Sequence, residues 1–202
     1  MESVKKNDDR PLEYQSEQGS LNIIGFWTFL TAEIALFATL FATYFVMEKA
    51  GSNAGHPPSE MFELWLVLVM TFLLLTSSFT CGLAIGEMRK GNVKMLVVYM
   101  IITLLLGAGF VGFEIYEFSH YVLEGVTMQV GSYWSSFFVL LGTHGLHVTI
   151  GLFWITFILI QLKRGLTPKN ASKLFITSLY WHFLDVVWIF IFTGVYLYGM
   201  VN

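Results

Sequence analysis

Five long apolar runs separated by short polar stretches dominate the chain, covering about residues 21–47, 61–86, 95–115, 133–162 and 174–200. A helix rises about 1.5 Å per residue and a bilayer's hydrocarbon core is about 30 Å thick, so roughly 20 apolar residues span it and tilt absorbs any excess. Every run passes that length, and the pattern predicts five transmembrane helices. Turn-forming residues punctuate the gaps: Gly51, Gly55, Pro57 and Pro58 before the second helix, Gly91 and Asn92 before the third, and Pro168 and Asn170 before the fifth. The expected organisation is an irregular cytoplasmic arm over residues 1–20 and one five-helix membrane domain over 21–202. The fold class is all-α, a polytopic bundle.

Composition agrees with that reading. Hydrophobic residues make up 55% of the 202 and charged ones 12%, a balance that does not suit a soluble surface. The charges sit between the runs, and the basic residues form no stripe, so the sequence gives no reason to expect nucleic acid as a partner. The first run is too long for a signal-peptide core and follows a mixed-charge segment, so it is expected to be retained. Cys81 is the single cysteine and excludes an intrachain disulfide. Its neighbours make no metal-ligand pattern, and packing is its expected role.

The basic residues also predict orientation, because Lys and Arg in short loops stay on the cytoplasmic side. Lys5, Lys6 and Arg10, then Arg89, Lys90 and Lys94, then Lys163, Arg164, Lys169 and Lys173 fall on one side, which leaves only Lys49 on the other. The N-terminus is therefore expected inside and the C-terminus outside.

Few polar groups lie deep in the spans, where each is costly and needs a partner. Glu33 on the first helix, His144 and His147 on the fourth, and Asp185 on the fifth all fall near mid-depth. One expectation is a single buried polar layer in which Glu33 meets the helix-four histidines and Asp185 meets His182 or a Trp indole. The other is that each acid is satisfied separately within its own helix interface. Glu114, Glu117 and Glu124 are expected to meet water or headgroups at the end of helix three, beside His120. Asp8, Asp9, Glu13, Glu17 and Glu87 read as solvated loop charges, with a cytoplasmic proton antenna as the alternative.

Three stretches carry a family resemblance. Helix five reads Tyr180-Trp181-His182-Phe183-Leu184-Asp185-Val186-Val187-Trp188-Ile189-Phe190. Helix four reads Gly142-Thr143-His144-Gly145-Leu146-His147-Val148-Thr149-Ile150-Gly151. Helix one reads Gly25-Phe26-Trp27-Thr28-Phe29-Leu30-Thr31-Ala32-Glu33, followed by Phe37, Phe41, Tyr44 and Phe45. These segments resemble subunit III of haem-copper terminal oxidases in its five-helix form, with Glu33 at the family's buried-glutamate position.

The resemblance implies a non-catalytic subunit in a bacterial plasma membrane. The haems and copper would lie in subunit I, with subunit II and a small subunit IV completing an oxygen-reducing, proton-translocating complex. This chain would carry no redox cofactor; it would bind phospholipid and sustain activity over repeated turnovers. Gly107, Gly109 and Gly112, and the Gly82 to Gly86 pair, would allow close helix approach. The whole-chain pattern, including Glu13-Tyr14-Gln15-Ser16-Glu17 and Thr167-Pro168, is most similar to haem A-type menaquinol oxidases of Gram-positive bacteria. The alternative donor is cytochrome c.

Two other classes compete. A haem protein would use intramembrane histidines, but His144 and His147 project about 60° apart from one helix and cannot ligate opposite faces of one haem. Glu117 and His120 have the Glu-x-x-His spacing of a di-iron site, but such sites need a second pair and two further glutamates. A transporter or proton channel would use Glu33 and Asp185 as relay residues, yet the chain has no internal repeat and no span interrupted midway by Pro or a Gly cluster.

Overall fold

A computed structural model of the chain describes residues 10–49, 61–162 and 165–201. Lys5, Lys6, Asp8, Asp9, Gly51, Gly55, Pro57, Pro58, Lys163 and Arg164 lie outside the described residues. Five long helices follow in order: α1 (Glu17–Lys49), α2 (Leu64–Arg89), α3 (Val93–Leu123), α4 (Ser132–Leu162) and α5 (Pro168–Ile191). A π-helical segment, Phe192–Leu197, and a last α-turn, Tyr198–Val201, continue α5. All five are long and apolar enough to cross a membrane, and the described residues contain no strand.

Local chemistry sets the ends. Gly91 takes a left-handed φ of 73°, which lets the chain reverse between α2 and α3. The Asn92 side chain then caps α3 by accepting from the Met95 amide. Thr167 caps α5 through the Asn170 amide, and Pro168 fills the first turn, where its missing N–H costs nothing. This cap starts α5 six residues before the apolar run at Leu174, because capping and not hydropathy fixes a helix start.

At the other end of the chain, α1 begins at Glu17, inside the segment expected to be irregular. Before it, Leu12–Tyr14 form a 3-10 turn that packs against α5 and α1. Glu13, read from sequence as a solvated charge, is instead fully buried, with Arg89 Nη2 2.7 Å from its Oε1. Burial beside a guanidinium explains the difference, because an ion pair lets the carboxylate leave water.

In the bundle, α5 packs against α1, α2 and α4, while α3 packs against α2 and α4. Helix α1 lies across α4 and α5 and is peripheral: 17% of its apolar span is buried, against 44% for α2 and for α5. The inward face of α3 runs Leu96, Met100, Thr103, Gly107, Phe110, Glu114, Glu117, Tyr121, alternating steps of four and three residues. That stripe passes straight through two glutamates, which is why α3 extends to Leu123 and not to the end of its apolar run.

Trp181 fills the centre, where a Cβ at Gly107 would press on Cη2 and Cζ2 of its indole and one at Gly151 on Cζ3 and Cε3. Gly109 makes ordinary contact with Leu73, whereas a Cβ at Gly86 or Gly112 would meet nothing within 4 Å. The expected close approach through glycine therefore occurs at Gly107 and not along the whole set. Helix α2 supplies hydroxyls for the two buried tryptophans of α5: Trp181 Nε1 donates to Ser77 Oγ at 2.8 Å and Trp188 Nε1 to Thr71 Oγ1 at 3.0 Å.

Candidate functional site

The deep polar residues form three separate groups and not one layer. In the first, α1 and α4 bring Glu33 Oε2 to 3.1 Å from His147 Nε2, with both side chains largely buried. The approach is close without the alignment of a hydrogen bond. His147 Nδ1 lies 2.7 Å from the Thr143 carbonyl oxygen, which only accepts, so Nδ1 carries a hydrogen. Tyr180 donates to the His147 carbonyl, and Phe37 covers the imidazole edge-on at 5.4 Å.

The second group is His144, which does not join Glu33. It is fully buried, and its Nε2 lies 3.2 Å from the Leu184 carbonyl of α5, so Nε2 donates and ties α4 to α5. Its ring lies between Phe110, edge-on at 5.7 Å, and Trp188, tilted at 5.4 Å. Nδ1 has no hydrogen-bond partner among the described residues.

The third group lies between α2 and α5. Ser78 Oγ is 2.7 Å from His182 Nδ1, and Asp185 lines a recess beside them. Asp185 Oδ1 has no hydrogen-bond partner among the described residues. The indoles of Trp181 and Trp188 bond to Ser77 and Thr71 instead.

A fourth cluster was not anticipated. Glu114 and Glu117, expected at the water or headgroup level, are buried on the inward stripe of α3, at 4% and 2% exposure. Glu117 accepts from the Tyr121 hydroxyl through Oε1 and from the Tyr196 hydroxyl through Oε2, each at 2.7 Å. The π-helical segment presents Tyr196 for this bond. Glu114 lies against Gly145, where any side chain would collide with the carboxyl. His120 and Glu124 remain half-exposed and pair at 3.4 Å. The available signal was the four-three spacing of the α3 stripe, which continues through both acids to Tyr121.

Among the described residues, no three His, Cys, Asp or Glu side chains are grouped so as to hold a metal ion. Each polar group instead links helices: Glu33 joins α1 to α4, His144 joins α4 to α5, Ser78 joins α2 to α5, and Glu117 joins α3 to the end of α5.

These features define a polytopic helical membrane protein with buried polar groups at its helix contacts. The family model for cytochrome c oxidase subunit III matches residues 15–200. The chain is 68% identical to quinol oxidase subunit 3 of Bacillus subtilis (strain 168) over 195 residues, 96% of this chain and 95% of that one. It is 61% identical over 196 residues to the probable quinol oxidase subunit 3 of Staphylococcus saprophyticus, 96% of this chain and 98% of that one. The chain belongs to the cytochrome c oxidase subunit III family.

Proposed function

We propose that this chain is the non-catalytic subunit III of a proton-pumping terminal oxidase that passes electrons from a quinol to oxygen. The observation that carries this reading is the 68% identity to a quinol oxidase subunit 3 along 96% of the chain. The electron donor is menaquinol. Oxygen chemistry belongs to subunit I, which holds the haems and copper, with subunit II and a small subunit IV alongside. This chain stabilises subunit I and binds phospholipid against its exposed apolar faces. Glu33, His144, His147, His182 and Asp185 hold its helices in register.

The complex lies in the bacterial plasma membrane. Ten of the eleven basic residues fall at the ends and loops on the N-terminal side of the bundle, which supports a cytoplasmic N-terminus and an external C-terminus.

Oxygen uptake by the purified complex distinguishes the donors. Uptake driven by a reduced menaquinol analogue, with none from reduced cytochrome c, is the expected result. Uptake driven by cytochrome c alone would make the chain subunit III of a cytochrome c oxidase, and uptake from neither would remove the oxidase assignment.

A further inference from the structure

Between α2 and α5 the bundle leaves an open recess of about 320 Å³, walled by Leu75, Phe79 and Leu83 and bordered by Ser78 and His182. That volume is at the small end of the range for pockets that hold small molecules. Ser78 falls near the middle of Leu64–Arg89 and His182 near the middle of Pro168–Met200. The recess therefore opens at mid-depth, on a face where Phe79 and Val186 are exposed. A molecule dissolved in the bilayer reaches it without crossing water.

One polar atom there is left over. Ser78 Oγ engages His182 Nδ1 at 2.7 Å, whereas Nε2 has no hydrogen-bond partner among the described residues. Asp185 Oδ1 is sealed in, but Nε2 keeps a surface open to contact, on an imidazole that is only partly buried and lines the recess. The ring turns its edge towards Gly82, where a Cβ would lie 4.0 Å from His182 Cε1, the carbon bonded to both nitrogens.

The Ser78 contact can run either way. If Ser78 donates to Nδ1, Nε2 carries the ring hydrogen and donates; if Nδ1 donates to Ser78, Nε2 is bare and accepts. A neutral imidazole thus serves a carbonyl oxygen in one tautomer and a hydroxyl in the other. An acyl chain offers neither group, and the ester and headgroup oxygens of a phospholipid stay at the interface, about 15 Å from mid-depth. A charged ligand would pay heavily at that depth for a single nitrogen. What fits is an uncharged, lipid-soluble molecule with a flat apolar body and an oxygen that is carbonyl when oxidised and hydroxyl when reduced.

We propose that this recess binds the ring of an isoprenoid quinone, held through one ring oxygen by His182 Nε2 and packed against Phe79 and Leu75. The site takes quinone and quinol alike, and it holds them without any bond forming or breaking. The proposal rests on the chain serving a quinol oxidase.

Photolabelling of the purified complex tests it. The probe is a naphthoquinone with an isoprenoid tail and an azide on its ring, and labelled peptides are mapped after illumination. Label is expected in this chain within residues 75–83, and excess unlabelled menaquinone should remove it while excess phospholipid should not. Gly82→Leu fills the recess from a position where a Cβ has room, and should abolish that label. His182→Phe deletes the nitrogen and should lower it roughly three- to tenfold, the effect of one hydrogen bond. Label displaced by phospholipid, or unchanged by Gly82→Leu, would overturn the site. Oxygen uptake by the same preparation separates the remaining failures. Uptake from a quinol with no label in this chain overturns the site alone, whereas uptake from cytochrome c only overturns the quinol-oxidase reading and the proposal with it.

Discussion

Replacing Gly107 by alanine adds one methyl group where the bundle has no room for it. Its Cβ would lie 2.7 Å from both Cη2 and Cζ2 of Trp181 and 2.9 Å from Leu152 Cδ2. Carbon atoms pack at about 3.5 Å or more, so the indole must withdraw by about 0.8 Å. It has little freedom to do so, because its Nε1 is held by Ser77 Oγ at 2.8 Å and its neighbouring Cζ3–Cε3 edge packs beside Gly151. Overpacking of this kind costs about 1–3 kcal/mol, and displacing the indole from Ser77 adds about 1 kcal/mol. Alanine's higher helix propensity returns about 1 kcal/mol. The net expectation is a loss of about 1–3 kcal/mol. Gly112→Ala lies on the same helix in open space, carries the same propensity gain and meets no atom within 4 Å, so it should be neutral or stabilising. The two variants are predicted to differ in sign. Unfolding midpoints in mild detergent, read by tryptophan fluorescence, measure both, and adding Trp181→Leu to Gly107→Ala should recover part of the loss. Equal midpoints for Gly107→Ala and Gly112→Ala would refute the packing argument.

Other variants test the polar links. Glu117→Gln keeps one oxygen acceptor but sets an amide N–H₂ against a tyrosine hydroxyl, so a loss of about 1–3 kcal/mol is expected by the same unfolding assay. Arg89→Ala strands a buried carboxyl, whereas Glu13→Gln leaves a half-exposed guanidinium that water can solvate; limited proteolysis should release the N-terminal segment faster in the first variant. For the Glu33–His147 contact, Glu33→Gln keeps a polar group that can donate to His147 Nε2 and should unfold like the parent, while Glu33→Leu should not. If both unfold alike, the Glu33–His147 contact contributes nothing to stability.

Much of the architecture is legible from hydropathy, since five apolar runs become five helices, and each boundary error has a local cause. The start of α5 lies in polar sequence because Thr167 and Pro168 build the first turn, and a hydropathy reading sees only Leu174 onward. The apolar run of α3 ends at residue 115, between Glu114 and Glu117, whereas the helix continues to Leu123. The steps from Gly107 through Phe110, Glu114 and Glu117 to Tyr121 carry the inward face past that point. Charge identity misled where spacing would not have.

The polar groups were legible only in part. Glu33 and His147 share a depth that sequence position reveals, and they meet. His144, one turn away, points into aromatic rings, because a rotation of about 60° around the helix separates their surroundings. The bond from Tyr196 to Glu117 depends on the π-helical segment, and the apolar run there gives no sign that the helix widens. Ser78 and Ser77 are ordinary residues in sequence; only the α2–α5 contact makes them partners of His182 and Trp181.

The most direct test of the account is affinity purification of the tagged chain in mild detergent, with peptide identification and a reduced-minus-oxidised spectrum of each separated subunit. The account predicts a larger co-purifying subunit that carries the haem signal, in fixed ratio to this chain, with no haem on the chain itself. Recovery of the chain alone, or haem bound to the isolated chain, would contradict it.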